Sequence, residues 1–250
     1  MQDNLISIVI PVYNAERFIE ETVASVLNQT YPEWELLLIN DGSTDGSGAI
    51  IDKLAEGDSR IRVFHLAGGG AAEARNTGTK NANGRYLAFL DADDLWEKEK
   101  LEKELAYMQK TDAAFVFTGY EFADRNGVGT GKIVRVPNVL TYRQALKNTT
   151  IFTSTVIFDM AQTGRELLYM PCIKSEDTAL WWKVIRSGYM AYGLDENLVR
   201  YRRAGKTLSS NKLEAIRRIW NLYRKSEGLS VMKSSYYFVF WAWNAVVRRV

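Results

Sequence analysis

Three carboxylates fall within four positions of this chain, at Asp91, Asp93 and Asp94. They follow an apolar run, Tyr86-Leu87-Ala88-Phe89-Leu90, that reads as a buried strand. Acids this close repel one another unless a cation neutralises them. Mg²⁺ or Mn²⁺, hard ions that take oxygen ligands and share their shell with substrate phosphates, would supply that charge. The alternative is a surface turn whose Asp caps a helix beginning near Trp96. The stretch alone leaves both readings open.

The elements around the acids favour a ligand site. Leu5 to Val12 is a β-branched, apolar strand, followed by a helix from about Glu16. Trp34 to Asn40 is a second strand, ending in Asp41-Gly42-Ser43, and Ile50, Ile51 and Leu54 mark a second helix. Ile61 to Leu66 is a third strand, and Ala71 to Asn81 a third helix. The alternation predicts an α/β fold, a Rossmann-like and mostly parallel sheet flanked by helices. In such a sheet ligands bind beyond the strand carboxyl ends, where Pro11 to Asn14, Asp41 to Ser43 and Asp91 to Asp94 all fall. Further on, residues 119–136 predict a hairpin and Ser175-Glu176-Asp177 opens another helix.

Composition narrows the classes. The 250 residues are 46% hydrophobic and 25% charged, an ordinary globular balance. A single cysteine, Cys172, excludes an internal disulfide framework. One histidine, His65, excludes His-rich zinc sites and reads as a strand-end residue. No basic leader precedes an apolar segment, so no secretory signal and a cytoplasmic location are expected. The Gly-rich stretch from Gly68 completes neither the dinucleotide-binding nor the P-loop pattern.

Several motifs in register resemble the family 2 glycosyltransferases of the GT-A fold. They are SIVIPVYNAE (7–16), SVLNQTYPEWELLLINDGSTDGS (25–47), ARNTG (74–78), GRYLAFLDADD (84–94) and SED (175–177). The resemblance covers about the first 190 residues. It implies an inverting, hexosyltransferase-type enzyme that uses a nucleoside diphosphate sugar, a UDP-sugar favoured, with Mn²⁺ or Mg²⁺. By resemblance, Asp93 ligates the metal directly and Asp91 approaches the ribose or the metal shell. Pro11, Tyr13 and Glu16 border the base, and Asp41 accepts from uracil or ribose. Arg75 adds charge at the phosphates, and Asp177 is the general base. Each has a plainer alternative: an Asx turn for Asp41, a strand-end aromatic for Tyr13, a solvated helix Arg for Arg75, first-turn acids for Glu176 and Asp177. Glu176, Trp181 and Trp182 are candidates for the acceptor side, although tryptophans on such a helix are more often core. Many relatives carry a histidine after the base helix. This chain has none, so Arg203 or Lys206 is expected to supply positive charge there.

The formal charge of +2 hides an asymmetry, because residues 200–250 hold twelve Lys/Arg against two Glu. Leu213, Ile216, Trp220 and Tyr223 recur at helical spacing, and an aromatic run follows at 236–243. The apolar run is too short to span a bilayer, but Trp and Tyr beside Arg suit a membrane interface. The expected organisation is a catalytic domain over 1–210 and a basic, aromatic helical extension over 211–250. That extension is expected to meet the inner face of the cell membrane, where the acceptor would be a glycan or polyprenyl-linked sugar in bacterial surface polysaccharide synthesis. Packing on the domain or on a second copy is the alternative for the extension. No nucleic-acid motif accompanies the basic charge. Two other functions stay open: a nucleotidyltransferase, and a non-catalytic subunit that binds sugar nucleotide or membrane.

Overall fold

The computed structural model describes residues 1–147, 150–203 and 212–247. The chain begins as expected, with β1 (Gln2–Val12), α1 (Ile19–Leu27), β2 (Trp34–Asp41), α2 (Ser47–Gly57), β3 (Ile61–Leu66), α3 (Ala71–Asn81) and β4 (Gly84–Phe89). These four strands lie in the order β3-β2-β1-β4, every pair parallel. Side chains alternate across them. Ile6, Ile8, Ile10 and Val12 point into one core with Ile19, Val23 and Ile51, while Val9, Leu37 and Ile39 point into the other. Gly78 of α3 lies against β1, where an added Cβ would sit 2.3 Å from Val9 Cγ1. The helix carrying Arg75 is thereby pressed close to the sheet. At the amino ends of the strands, buried Glu35 accepts from Ser7 Oγ at 2.6 Å and from the Asn83 amide, tying β1, β2 and β4 together away from the site.

Beyond β4 the sheet becomes mixed. A short β5 (Leu95–Trp96) and α4 (Lys100–Thr111) lead to β6 (Phe115–Ala123) and its hairpin partner β7 (Gly129–Val134). Gly127, with φ +74°, makes the turn. Then follow β8 (Val139–Leu140), α5 (Tyr142–Ala145), a 3₁₀ turn (Thr153–Thr155) and β9 (Val156–Asp159). After α6 (Met160–Thr163) and α7 (Glu176–Arg186) comes one continuous strand, β10 (Ala191–Arg202). The sheet continues β4-β9-β6-β10-β5, with β9 antiparallel to both neighbours and β6–β10 parallel. Parallel pairing requires a crossover connection, and the regular strand–helix alternation ends at β4.

The C-terminal segment forms α8 (Lys212–Asn221), a π-helical turn (Leu222–Ser226) and α9 (Val231–Val247). Ile219, Leu222 and Tyr223 are buried in the same core as α7. Tyr223 stacks on Trp182 at 5.2 Å and donates to the Leu146 carbonyl at 2.5 Å. Of the expected apolar stripe, Tyr223 packs inward. Leu213 and Ile216 face outward, and the packed face is carried by Ile219, Leu222 and Tyr223. A register of three and four from Ile219 satisfies the core equally well, and packing against α7 selects it.

Candidate active site

The strand ends converge as a doubly wound sheet requires. Asn14, at φ +49°, turns the loop after β1 so that its side chain accepts from the Thr44 amide at 2.9 Å. Glu16 accepts from the Gly46 amide at 2.7 Å. Its carboxylate thus latches the first loop to the start of α2 and does not line the cavity, against the expectation that it borders the base. Asp41 spends both oxygens on the Gly69 and Gly70 amides, at 2.7 and 2.9 Å, and so shapes the Gly-rich loop while lining the cavity. That cavity, about 620 Å³, gathers Pro11, Tyr13, Asp41, Arg75, Asp91 and Asp93. Tyr13 is 62% exposed there, a free aromatic face at the rim.

A second cavity of about 630 Å³ lies on the other side of the acids. The two share Arg75, Asp91 and Asp93 as a common wall. Glu176 and Asp177 enter the second cavity from the first turn of α7. Ser175, held left-handed at φ +62°, bends the chain into that turn. One oxygen of Asp177 accepts from the Thr178 amide at 2.6 Å, and Thr153 Oγ1 stands 3.4 Å from the other.

Arg75 is the strut between the two sides. Its guanidinium bonds Asp91 at 2.7 Å and Glu176 at 2.9 Å with the side chain 8% exposed. Burial acts to lower its pKa, but Asp91 and Glu176 outweigh it and hold the pKa above the ordinary arginine value. Its buried Nε has no hydrogen-bond partner among the described residues. Asp93 is pushed up to about 6, first by burial and then by Asp91. Asp94 is raised well above the carboxylate range by burial and by Asp93. It is an internal tie, accepting from Ser154 Oγ at 2.6 Å and from the Arg202 amide at 3.0 Å, and it lines neither cavity. Two of the three acids are therefore left facing the shared wall.

Asp91 and Asp93 fit a divalent cation that keeps most of its shell for water and phosphate. No group of three His, Cys, Asp or Glu able to cage a metal occurs among the described residues. Asp93, raised by burial and by neighbouring Asp91, is the carboxylate such an ion would relieve.

Several expected residues sit elsewhere. Trp181 and Trp182 are 2% and 1% exposed. Trp181 stacks on Phe158, and Trp182 on Tyr223, so neither offers a sugar platform. The aromatic wall of the second cavity is instead Tyr120, Phe152 and Tyr201, with Phe152 and Tyr201 4.3 Å apart. Arg203 is exposed over the Phe122 ring at 4.0 Å and lines neither cavity. Its neighbour Arg202 is buried, bonds Glu21 at 2.6 Å, lines the second cavity and places positive charge near Asp93. Strand alternation puts the two arginines on opposite faces, with Arg202 in phase with buried Leu198. Lys206 lies outside the described residues. His65 bridges Asn40 and Asp52 as a strand-end residue.

Residues 7–168 match the profile of a family described as glycosyl transferase family 2. A Bacillus subtilis (strain 168) protein, provisionally named the teichuronic acid biosynthesis glycosyltransferase TuaG, is 44% identical over 248 residues, 98% of each chain. This chain belongs to glycosyl transferase family 2. Within the family, the Escherichia coli protein WfgD is named UDP-Glc:α-D-GlcNAc-diphosphoundecaprenol β-1,3-glucosyltransferase. It is 38% identical over 224 residues, covering 89% of this chain and 86% of WfgD. The fold is shared with the mannosyltransferase PcManGT from Pyrobaculum calidifontis, solved with GDP-Man and Mn²⁺. That match has a TM-score of 0.71 at 17% identity and covers 96% of this chain and 73% of PcManGT. The protein is thus a glycosyltransferase on a GT-A scaffold, which sets aside the nucleotidyltransferase reading.

Proposed function

We propose that the protein is a metal-dependent, inverting glycosyltransferase that moves a sugar, a hexose favoured, from a UDP-sugar to a polyprenyl diphosphate-linked acceptor in surface polysaccharide synthesis. One observation carries the reading. Two cavities of similar size meet at Arg75, Asp91 and Asp93, with Asp177 on the side away from Tyr13 and Asp41. The nucleotide occupies the first cavity and the acceptor the second. Asp177 takes the proton from the acceptor hydroxyl as its oxygen bonds to the anomeric carbon. The bond from that carbon to the diphosphate oxygen breaks, and attack opposite the leaving group inverts the centre. A divalent cation on Asp93, with Asp91 beside it, supplies Lewis-acid charge for the leaving diphosphate when bound. Arg75 holds Asp91 and Glu176 in place across the junction. Tyr120, Phe152 and Tyr201 give the acceptor sugar an apolar face to lie on.

The acceptor class rests on the name of WfgD. A peripheral place on the cytoplasmic face of the membrane agrees with α9, whose Met232, Tyr236, Val239 and Trp243 form an exposed stripe at i, i+4, i+7 and i+11. No described helix is long and apolar enough to cross a membrane. The test is a thermal-shift panel of nucleotide sugars with and without Mn²⁺. The donor raises the melting temperature only with the metal, by mass action. Failure of every nucleoside diphosphate sugar to do so would refute the reading.

A further inference from the structure

A groove beside the second cavity takes no part in the transfer chemistry. It holds about 980 Å³, with Pro171, Ile173, Leu213 and Leu222 as its apolar walls. Ile173 and Leu213 are 44% and 70% exposed, a large apolar surface left facing the groove. Arg217, Arg218 and Lys225 approach it from α8 and the π-helical turn, and Lys174 from the opposite wall. Glu214, its one acidic lining residue, is ion-paired to Lys174 at 2.6 Å. The remaining charge at the mouth is therefore positive. An apolar trough with a cationic mouth is complementary to an amphiphile with an anionic head.

The groove also has a direction. Arg218 and Leu222 line both it and the cavity that holds Asp177. The Nε of Arg218 is buried and has no hydrogen-bond partner among the described residues, a donor that a ligand oxygen would satisfy. An acceptor whose sugar lies on the aromatic wall near Asp177 has its anomeric substituent free to leave the cavity past Arg218.

We infer that this groove seats the lipid end of the acceptor. Arg218 receives the diphosphate, and the first isoprenoid units lie along Pro171, Ile173 and Leu213. The inference rests on the proposed acceptor class and adds where, and by which residues, its non-sugar part is recognised. Arginine suits the role because its fork of donors matches phosphate oxygens.

Calorimetry with the full chain tests this, with UDP and Mn²⁺ saturating so that the donor cavity is filled. The probes are farnesyl diphosphate, inorganic pyrophosphate and farnesol. Farnesyl diphosphate is expected to bind at least about tenfold tighter than either fragment, since head and chain are held together. Arg218→Gln should weaken it by about 10- to 100-fold, the loss of a charge-assisted contact. Leu213→Ser should erase its advantage over pyrophosphate and leave pyrophosphate binding unchanged. UDP binding unchanged in both variants shows that they fold. Farnesyl diphosphate binding that ignores Arg218→Gln, or that matches pyrophosphate in the wild type, overturns the proposal. So does loss of phosphatidylglycerol vesicle binding, or of a dimer, in variants that keep farnesyl diphosphate. Those outcomes assign the groove to the membrane or to a second copy. If UDP does not bind the wild type, the donor reading falls, and the same titrations without UDP still decide the groove.

Discussion

Replacing Arg75 with Met removes the cation that joins the two halves of the site. Its guanidinium is 8% exposed and makes charged bonds at 2.7 and 2.9 Å to Asp91 and Glu176. Asp93 and Asp177 stand on the same cavity wall, so four acids then face one another without it. Breaking a buried ion pair by deleting one partner costs about 3–5 kcal/mol. For a chain of this size, about 2–4 °C of melting temperature accompanies each kcal/mol, so the variant should melt about 6–20 °C lower at neutral pH with EDTA present. The loss has a signature. Protonation of the stranded acids relieves it, so the gap from wild type should narrow at mildly acidic pH. Mn²⁺ should raise the melting temperature of the variant more than that of the wild type, because Asp91 is no longer claimed by Arg75. Arg75→Lys should fall between, since one ammonium cannot span both acids as the fork does. Differential scanning calorimetry across pH, with EDTA or Mn²⁺, measures all of this. A variant that melts within about 2 °C of wild type, or a gap indifferent to pH, refutes the strut.

Asp177→Asn should retain UDP binding and lower kcat by about 10²- to 10⁴-fold, the usual worth of a general base, and undiminished turnover in a coupled UDP-release assay removes Asp177 from that role. Asp93→Ala should abolish the Mn²⁺-dependent part of UDP affinity in calorimetry while the fold survives, so equal affinity with and without Mn²⁺ in wild type refutes the metal assignment. Glu104 is fully buried against Lys100 at 2.6 Å and is pushed up to about 7, chiefly by burial. A raised acid binds its proton more tightly in the folded state, so its contribution to stability is greatest at low pH and is lost as pH climbs through about 5 to about 7. Glu104→Gln should flatten that part of the pH–melting curve by up to about 1.4 kcal/mol per pH unit, and a slope unchanged from wild type refutes it.

The sequence carried the parallel half of the fold because its signals are local. A β-branched strand, a turn and a helix each announce themselves within about ten residues, so β3 and α3 fall where the pattern places them. The carboxylates at the shared wall were legible for the same reason, each standing at a strand or helix end. What escaped depends on contacts distant in sequence. Arg203 was named where Arg202 does the work, because only β10 pairing with β6 shows which way each faces. Trp181 and Trp182 looked available until Phe158 and Tyr223 covered them. Glu16 was read as bordering the base because its loop does, yet its carboxylate belongs to α2. The Tyr120, Phe152 and Tyr201 wall joins positions more than eighty residues apart, which no local window connects.

The shared wall of Arg75, Asp91 and Asp93 limits how such a protein can diversify. A change at any of the three alters both cavities at once, so on the proposed function selection for a new donor there would disturb the acceptor as well. The far ends are independent: Tyr13 and Phe18 touch only the first cavity, and Tyr120, Phe152 and Tyr201 only the second. On the proposed assignment of the two cavities, donor choice and acceptor choice are separable traits, and a lineage could exchange one without relearning the other. Recombining the two halves between family members should produce hybrid specificities more readily than mutating the junction.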